Sequence, residues 1–156
     1  MSELVMLVGV PGSGKSTWVK ENCDPMQFNL LSTDNYIESV AEKEGITYNQ
    51  AFKDHIKKAT DNMNKMANDA FKNNRNVIWD QTNLSVKSRK AKLAMVPAHY
   101  TKIAVYFPAP NKEEHKRRLD SRPGKTIPTH IIKDMIDCIQ IPSHDEGFDK
   151  VLVYEG

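Results

Sequence analysis

Eight residues near the N-terminus, Gly9-Val10-Pro11-Gly12-Ser13-Gly14-Lys15-Ser16, place glycines, a lysine and a hydroxyl at the spacing that holds phosphate. Gly9, Gly12 and Gly14 allow a tight turn that brings backbone N–H groups close to phosphate oxygens. Lys15 adds a point charge for the terminal phosphates, and the Ser16 hydroxyl suits Mg2+. The pattern is a complete Walker A motif. An apolar run precedes it and a helical segment follows, so a positive helix end faces the same oxygens.

Three further stretches carry candidate chemistry. "FNLLSTDNY", residues 28–36, sets Asp34 just past an apolar run. A carboxylate there can take the proton of an attacking hydroxyl. It can also cap a helix starting near Tyr36, and the two roles are compatible. "NVIWDQTNLS", residues 76–85, ends an apolar run in Asp80, the place of a Walker B carboxylate that orients water on Mg2+. The following "SVKSRKAK" supplies Lys87, Arg89, Lys90 and Lys92, read as a solvated helix face or as a contact for a polyanion. Last, "DSRPGKTIP" is a polar, Gly- and Pro-containing loop with Arg122 and Lys125, preceded by Arg117 and Arg118. An arginine on such a loop can close over phosphates and neutralise transition-state charge.

These groups need a scaffold. Apolar runs at 4–8, 28–31, 77–79, 103–107 and 151–154 predict five strands alternating with helices, hence an α/β fold with a parallel sheet covered on both faces. Ligands bind beyond the carboxyl ends of such strands, which brings Asp34 and Asp80 towards the phosphate loop. Thr47 with Gln50 marks a helix start, followed by Phe52, Ile56, Ala59, Met63, Met66 and Ala70 as its expected core face. Asn111 with Glu114 marks another, and Pro128 opens a third through Ile131, Ile132, Met135, Ile136 and Ile139.

Composition narrows the class. The chain has 156 residues, 39% hydrophobic and 27% charged, which predicts one globular domain spanning 1–156. The opening "MSELVMLVGV" reads as a strand rather than a signal peptide, and no apolar run has the length of a membrane span. A net charge of +2 means that any nucleic-acid contact is a local patch. Cys23 and Cys138 are far apart, and the five histidines have no metal-ligand spacing, so a reducing cytoplasm is the expected setting.

As an ordered set, these segments resemble the kinase domain of the polynucleotide 5′-hydroxyl kinase family of phage and mammals, along nearly the whole chain. "GVPGSGKSTW" is similar to the family's P-loop, "STDNY" to its general-base segment, and "DQTNL" to its Asp-x-Thr-Asn-Leu strand end. "RLDSRPGKTIP" resembles its arginine-bearing lid and "IPSHDEGFDKVLVYE" its tail. The resemblance implies a three-layer P-loop kinase fold with a short lid, and ATP with Mg2+. Gly9, Pro11, Gly12, Ser13, Gly14, Lys15, Ser16, Thr17, Arg118 and Arg122 would bind ATP, and Ser16 with Asp80 would hold the metal. Lys15, Asp34 and Arg122 would be catalytic, with Asp34, Thr82, Asn83 and Arg89 facing the acceptor.

Phage members carry arginines just before the base aspartate and three residues after it, where this chain has Thr33 and Ile37. That directs the question of the acceptor to those two positions. No Asp-x-Asp-Gly-Thr phosphatase signature is present. The expected activity is ATP-dependent phosphorylation of a hydroxyl on DNA or RNA, first the 5′-OH end. The alternatives are the hydroxymethyl group of a base such as 5-hydroxymethyluracil in phage DNA, a nucleoside or other small molecule, and a non-catalytic ATP-binding module. The expected setting is the cytoplasm, the host's for a phage protein; the oligomeric state is open.

Overall fold

A computed structural model describes residues 2–122 and 127–154. Lys125 and the middle of the predicted lid lie outside the described residues. Five strands, β1 (Glu3–Val8), β2 (Phe28–Leu31), β3 (Asn76–Trp79), β4 (Thr101–Tyr106) and β5 (Lys150–Val153), form one sheet in the order β2-β3-β1-β4-β5. Every pairing is parallel, with Val5 opposite Ile78 and Ile103. Parallel neighbours require crossovers, and six α-helices among the described residues supply them: α1 (Lys15–Asn22), α2 (Thr33–Glu44), α3 (Tyr48–Lys72), α4 (Val86–Leu93), α5 (Lys112–Asp120) and α6 (Thr129–Asp137).

The two sheet faces bury separate apolar clusters. Leu4, Met6, Trp79 and Ala104 pack under Met63, Ala67, Ala70 and Phe71 of α3. Val5, Leu7, Ile78 and Val105 pack on the other face with Phe107 and with Trp18 and Val19 of α1. Burial on both faces explains why these strands read as continuous apolar runs rather than alternating ones.

A third cluster joins α2 to α3 through Ile37, Ala41, Ala51 and Ala59. Thr47 caps α3 by accepting from the Gln50 backbone N–H at 3.2 Å, and Asn111 caps α5 by accepting from the Glu114 N–H at 2.9 Å, as their spacing predicts. The inward face of α3 differs from expectation. Ala51, Ala59, Met63, Ala67, Ala70 and Phe71 are buried, whereas Phe52 is 43% and Met66 44% exposed. The small alanines permit close approach to α2 and the sheet, and the larger side chains flank that seam. α6 ends at Asp137, before Ile139, and only Ile132 of its residues is buried.

Candidate active site

The phosphate loop leaves the central strand β1 and ends in α1. Gly12 and Gly14 adopt φ of 77° and 105°, left-handed backbone that side chains other than glycine's strain to reach. Their surroundings are also full. A Cβ on Gly12 would lie 3.2 Å from both His115 and Leu119, and one on Gly14 would lie 3.2 Å from the Tyr154 ring. His115 is buried and its Nε2–H donates to the Pro11 carbonyl at 2.7 Å, so it is a satisfied structural histidine that braces the loop. Gly14 begins α1 without a side-chain cap, which leaves the first N–H groups of the helix for a ligand.

The loop borders a cleft of about 1240 Å³ beyond the carboxyl ends of the strands. Gly12, Gly14, Lys15, Ser16, Thr17, Asp34, Asp80, Thr82, Arg118 and Arg122 all line it. The Lys15 ammonium donates to the Gly9 carbonyl at 2.9 Å. Burial lowers its pKa from the ordinary lysine value, with Asp80 and Asp34 acting in the opposite sense and Arg122 reinforcing the drop. Asp80, Asp34 and Arg122 therefore all sit within electrostatic reach of Lys15.

Asp34 is the second residue of α2, which starts earlier than Tyr36. The cap is Ser32, whose hydroxyl accepts from the Asp34 N–H at 3.1 Å. Capping therefore does not occupy the Asp34 carboxylate, which faces the cleft and accepts a hydrogen bond from the Tyr48 hydroxyl. Burial pushes the Tyr48 phenol far above its usual range, with the Asp34 hydrogen bond adding to it.

The arginines divide the work. Arg118 donates to Glu114 at 2.9 Å and to the Gly12 carbonyl at 3.2 Å, fastening α5 to the phosphate loop. Arg117 makes a two-pronged pair with Glu114 at 2.5 and 3.0 Å. Hydrogen bonds from Arg117 and then Arg118 bring the Glu114 pKa down to about 2. Arg122 keeps a buried Nη1 with no hydrogen-bond partner among the described residues. A buried guanidinium nitrogen left unpaired beside a phosphate loop suits an anionic ligand.

The structure moves two predicted acceptor contacts out of the cleft. Arg89 is fully buried, donating to Glu146 at 2.7 and 3.0 Å and to the Asn83 carbonyl at 2.8 Å. Asn83 is buried as well, with φ of 48°; its amide donates to the Leu7 carbonyl at 2.8 Å and its Oδ1 accepts from Lys92. Together they lock the strand ends that carry the phosphate loop, and neither lines the cleft. Thr82 stays in the cleft, its carbonyl accepting from the Gly9 N–H at 3.0 Å. Ile37 is wholly buried against Ala41 and α3 and does not line the cleft, whereas Thr33, though mostly buried, does. Tyr48, Phe52 and Tyr154 also line the cleft, and sequence reasoning assigned them no part in it.

A five-stranded parallel sheet in this order, with a phosphate loop after its central strand and a charged cleft at the strand ends, is a P-loop kinase fold. Residues 4–142 match the AAA domain family (AAA_33), and the chain belongs to that family. Heterogeneous nuclear ribonucleoprotein U-like protein 2 of Homo sapiens and Mus musculus is 28% identical over 159 residues, covering 96% of this chain. The match takes up 21% of that relative, so this chain spans about a fifth of its length.

Among solved structures, a chain of the Pnkp1/Rnl/Hen1 RNA repair complex aligns at a TM-score of 0.67 and 24% identity, over 95% of this chain and 46% of that one. A putative kinase from Chloroflexus aurantiacus aligns at 0.69 and 18%, over 98% and 84%. A gluconokinase from Sinorhizobium meliloti aligns at 0.57 and 15%, over 97% and 81%. No helix among the described residues is long and apolar enough to cross a membrane.

Proposed function

We propose that this chain is an ATP-dependent kinase that transfers the γ-phosphoryl group to a hydroxyl of nucleic acid, in the first instance the 5′-OH of a polynucleotide. The observation that carries the reading is the meeting of Lys15, Asp34 and Arg122 in one cleft, with the Asp34 carboxylate oriented by Tyr48. A nucleotide switch needs the phosphate loop; a carboxylate held ready beside it serves transfer to a hydroxyl.

In this reading the loop N–H groups, Lys15 and Arg122 hold the phosphates, while Arg118 keeps the loop in place. Ser16 and Asp80 would hold Mg2+, which would neutralise charge on the phosphates. Among the described residues no three His, Cys, Asp or Glu side chains cluster to hold a metal. That suits a cation bound partly through substrate phosphate. The acceptor oxygen bonds to the γ-phosphorus as the bond to the ADP oxygen breaks. The acceptor's proton passes to the Asp34 carboxylate. Nucleic acid as acceptor draws support from the RNA repair complex and the ribonucleoprotein relative.

The test offers labelled ATP with a 5′-OH oligonucleotide, an end-blocked oligonucleotide bearing internal 5-hydroxymethyluracil, and a panel of nucleosides and sugars. Label at the 5′ end is expected. Label on the internal base alone moves the acceptor to a modified base, and label on small molecules alone removes nucleic acid from the reading. Asp34→Ala is expected to abolish transfer and leave ATP affinity within a few fold. Near-normal transfer by that variant would remove Asp34 as the base.

A further inference from the structure

The α3 wall of the cleft differs in kind from the α5 wall. Tyr48, Phe52 and Ile56 stand one helical turn apart along α3 and all line the cleft, so they form one stripe. The Tyr48 and Phe52 rings lie 6.1 Å apart, tilted by 36°. Phe52 remains 43% exposed, although an aromatic of that size is stabilised by being covered. Ile127 and Met135 contribute apolar surface to the same cleft.

Charge separates the walls further. The lysine and arginine side chains that line the cleft among the described residues are Lys15, Arg117, Arg118 and Arg122, from the phosphate loop and from α5 with the residues just after it. The α2 and α3 residues that line it include Asp34 and Glu38 and no lysine or arginine. Phosphate is therefore favoured on one side, and an uncharged, flat group on the other. The stripe also ends at the reacting carboxylate, because Tyr48 is the residue that donates to Asp34.

We propose that the face formed by Tyr48, Phe52 and Ile56 is a base-stacking subsite, in which Phe52 stacks the nucleobase of the acceptor nucleotide while its hydroxyl lies at Asp34. The inference rests on the kinase reading above and adds what recognises the acceptor: the ring of its reacting nucleotide, rather than a neighbouring phosphate or a carboxylate.

The test uses steady-state transfer to two 5′-OH oligonucleotides, one with an intact terminal base and one with an abasic terminal residue, by the wild-type chain, Phe52→Ala and Phe52→Trp. Wild type is expected to show an acceptor KM about tenfold higher for the abasic end. Phe52→Ala raises the KM for the intact end about tenfold and erases that difference, Phe52→Trp restores it, and the KM for ATP stays within twofold throughout. Equal KM values for the two ends with the wild-type chain, or unchanged base discrimination in Phe52→Ala, would overturn the subsite and leave the kinase reading standing. Absence of label on either oligonucleotide with the wild-type chain would remove both.

Discussion

The Tyr48 hydroxyl donates a hydrogen bond to the Asp34 carboxylate, linking the first turn of α3 to the first turn of α2 across the mouth of the cleft. The bond restricts the carboxylate at the position where a hydroxyl would arrive. Burial and the Asp34 contact both push the phenol's pKa up, so Tyr48 remains a donor at any working pH. Tyr48→Phe is expected to lower kcat about tenfold, the worth of one hydrogen bond to a charged group, with the KM for ATP within twofold. Circular dichroism and initial-rate kinetics check this, and an unchanged kcat would reduce the phenol to packing.

Arg122 has a buried Nη1 without a partner among the described residues and acts on the charge of both Lys15 and Tyr48. Its neighbour Arg118, by contrast, is committed to Glu114 and to the Gly12 carbonyl. The two should therefore fail differently. Arg122→Ala is expected to lower kcat about a hundredfold or more with a smaller change in KM, as for loss of one transition-state contact. Arg118→Ala should loosen the loop and raise the KM for ATP. Single-turnover kinetics with both variants separate the cases, and an Arg122→Ala defect confined to KM would make that residue a docking group.

Arg89 and Glu146 form a two-pronged ion pair with both side chains buried, and Glu146 also accepts from the Ser143 N–H at 2.9 Å. Removing one partner strands the other charge, which costs about 3–5 kcal/mol. Arg89→Ala is expected to lose stability in that range by urea unfolding, whereas Arg89→Met with Glu146→Leu should lose much less. Equal losses from the single and double replacements would show that packing, not charge, dominates this position.

What could be read in advance was local. The phosphate loop needs glycines, lysine and serine within eight consecutive residues, so their spacing carried the meaning. The caps at Thr47 and Asn111 likewise depend on a residue three places on. Arg89 and Asn83 could not be placed in this way. Their partners, Glu146 and the Leu7 carbonyl, are 57 and 76 residues away, and only the folded sheet brings them together. One local detail mattered as much. Because α2 begins at Thr33, residues 33, 37 and 41 share its inward face, and Ile37 points into the core instead of into the cleft. The role of Phe52 was hidden for a related reason: on α3 alanine fills the seam, and the large apolar side chain is left beside the cleft.

Lys92 gives a pH signature that is independent of catalysis. Its ammonium donates to Asn83 Oδ1 and lies 5.7 Å from the Trp79 ring centroid. Burial, and then the charge of Lys15, lower its pKa from 10.5 to about 8. The folded value is the lower one, so between about 8 and 10.5 the unfolded chain binds this proton and the folded chain does not. The contribution of Lys92 to stability therefore rises with pH across that window and is lost as pH falls through about 8. A displacement of this size amounts to at most about 3 kcal/mol. Lys92→Met removes the titrating group, at a cost in its hydrogen bond to Asn83 that does not vary with pH. The variant's stability relative to wild type should thus be most favourable near pH 7 and decline steadily towards pH 10.5. Urea unfolding of both proteins at several pH values measures that difference, and a constant difference would show that Lys92 keeps an ordinary pKa in the folded chain.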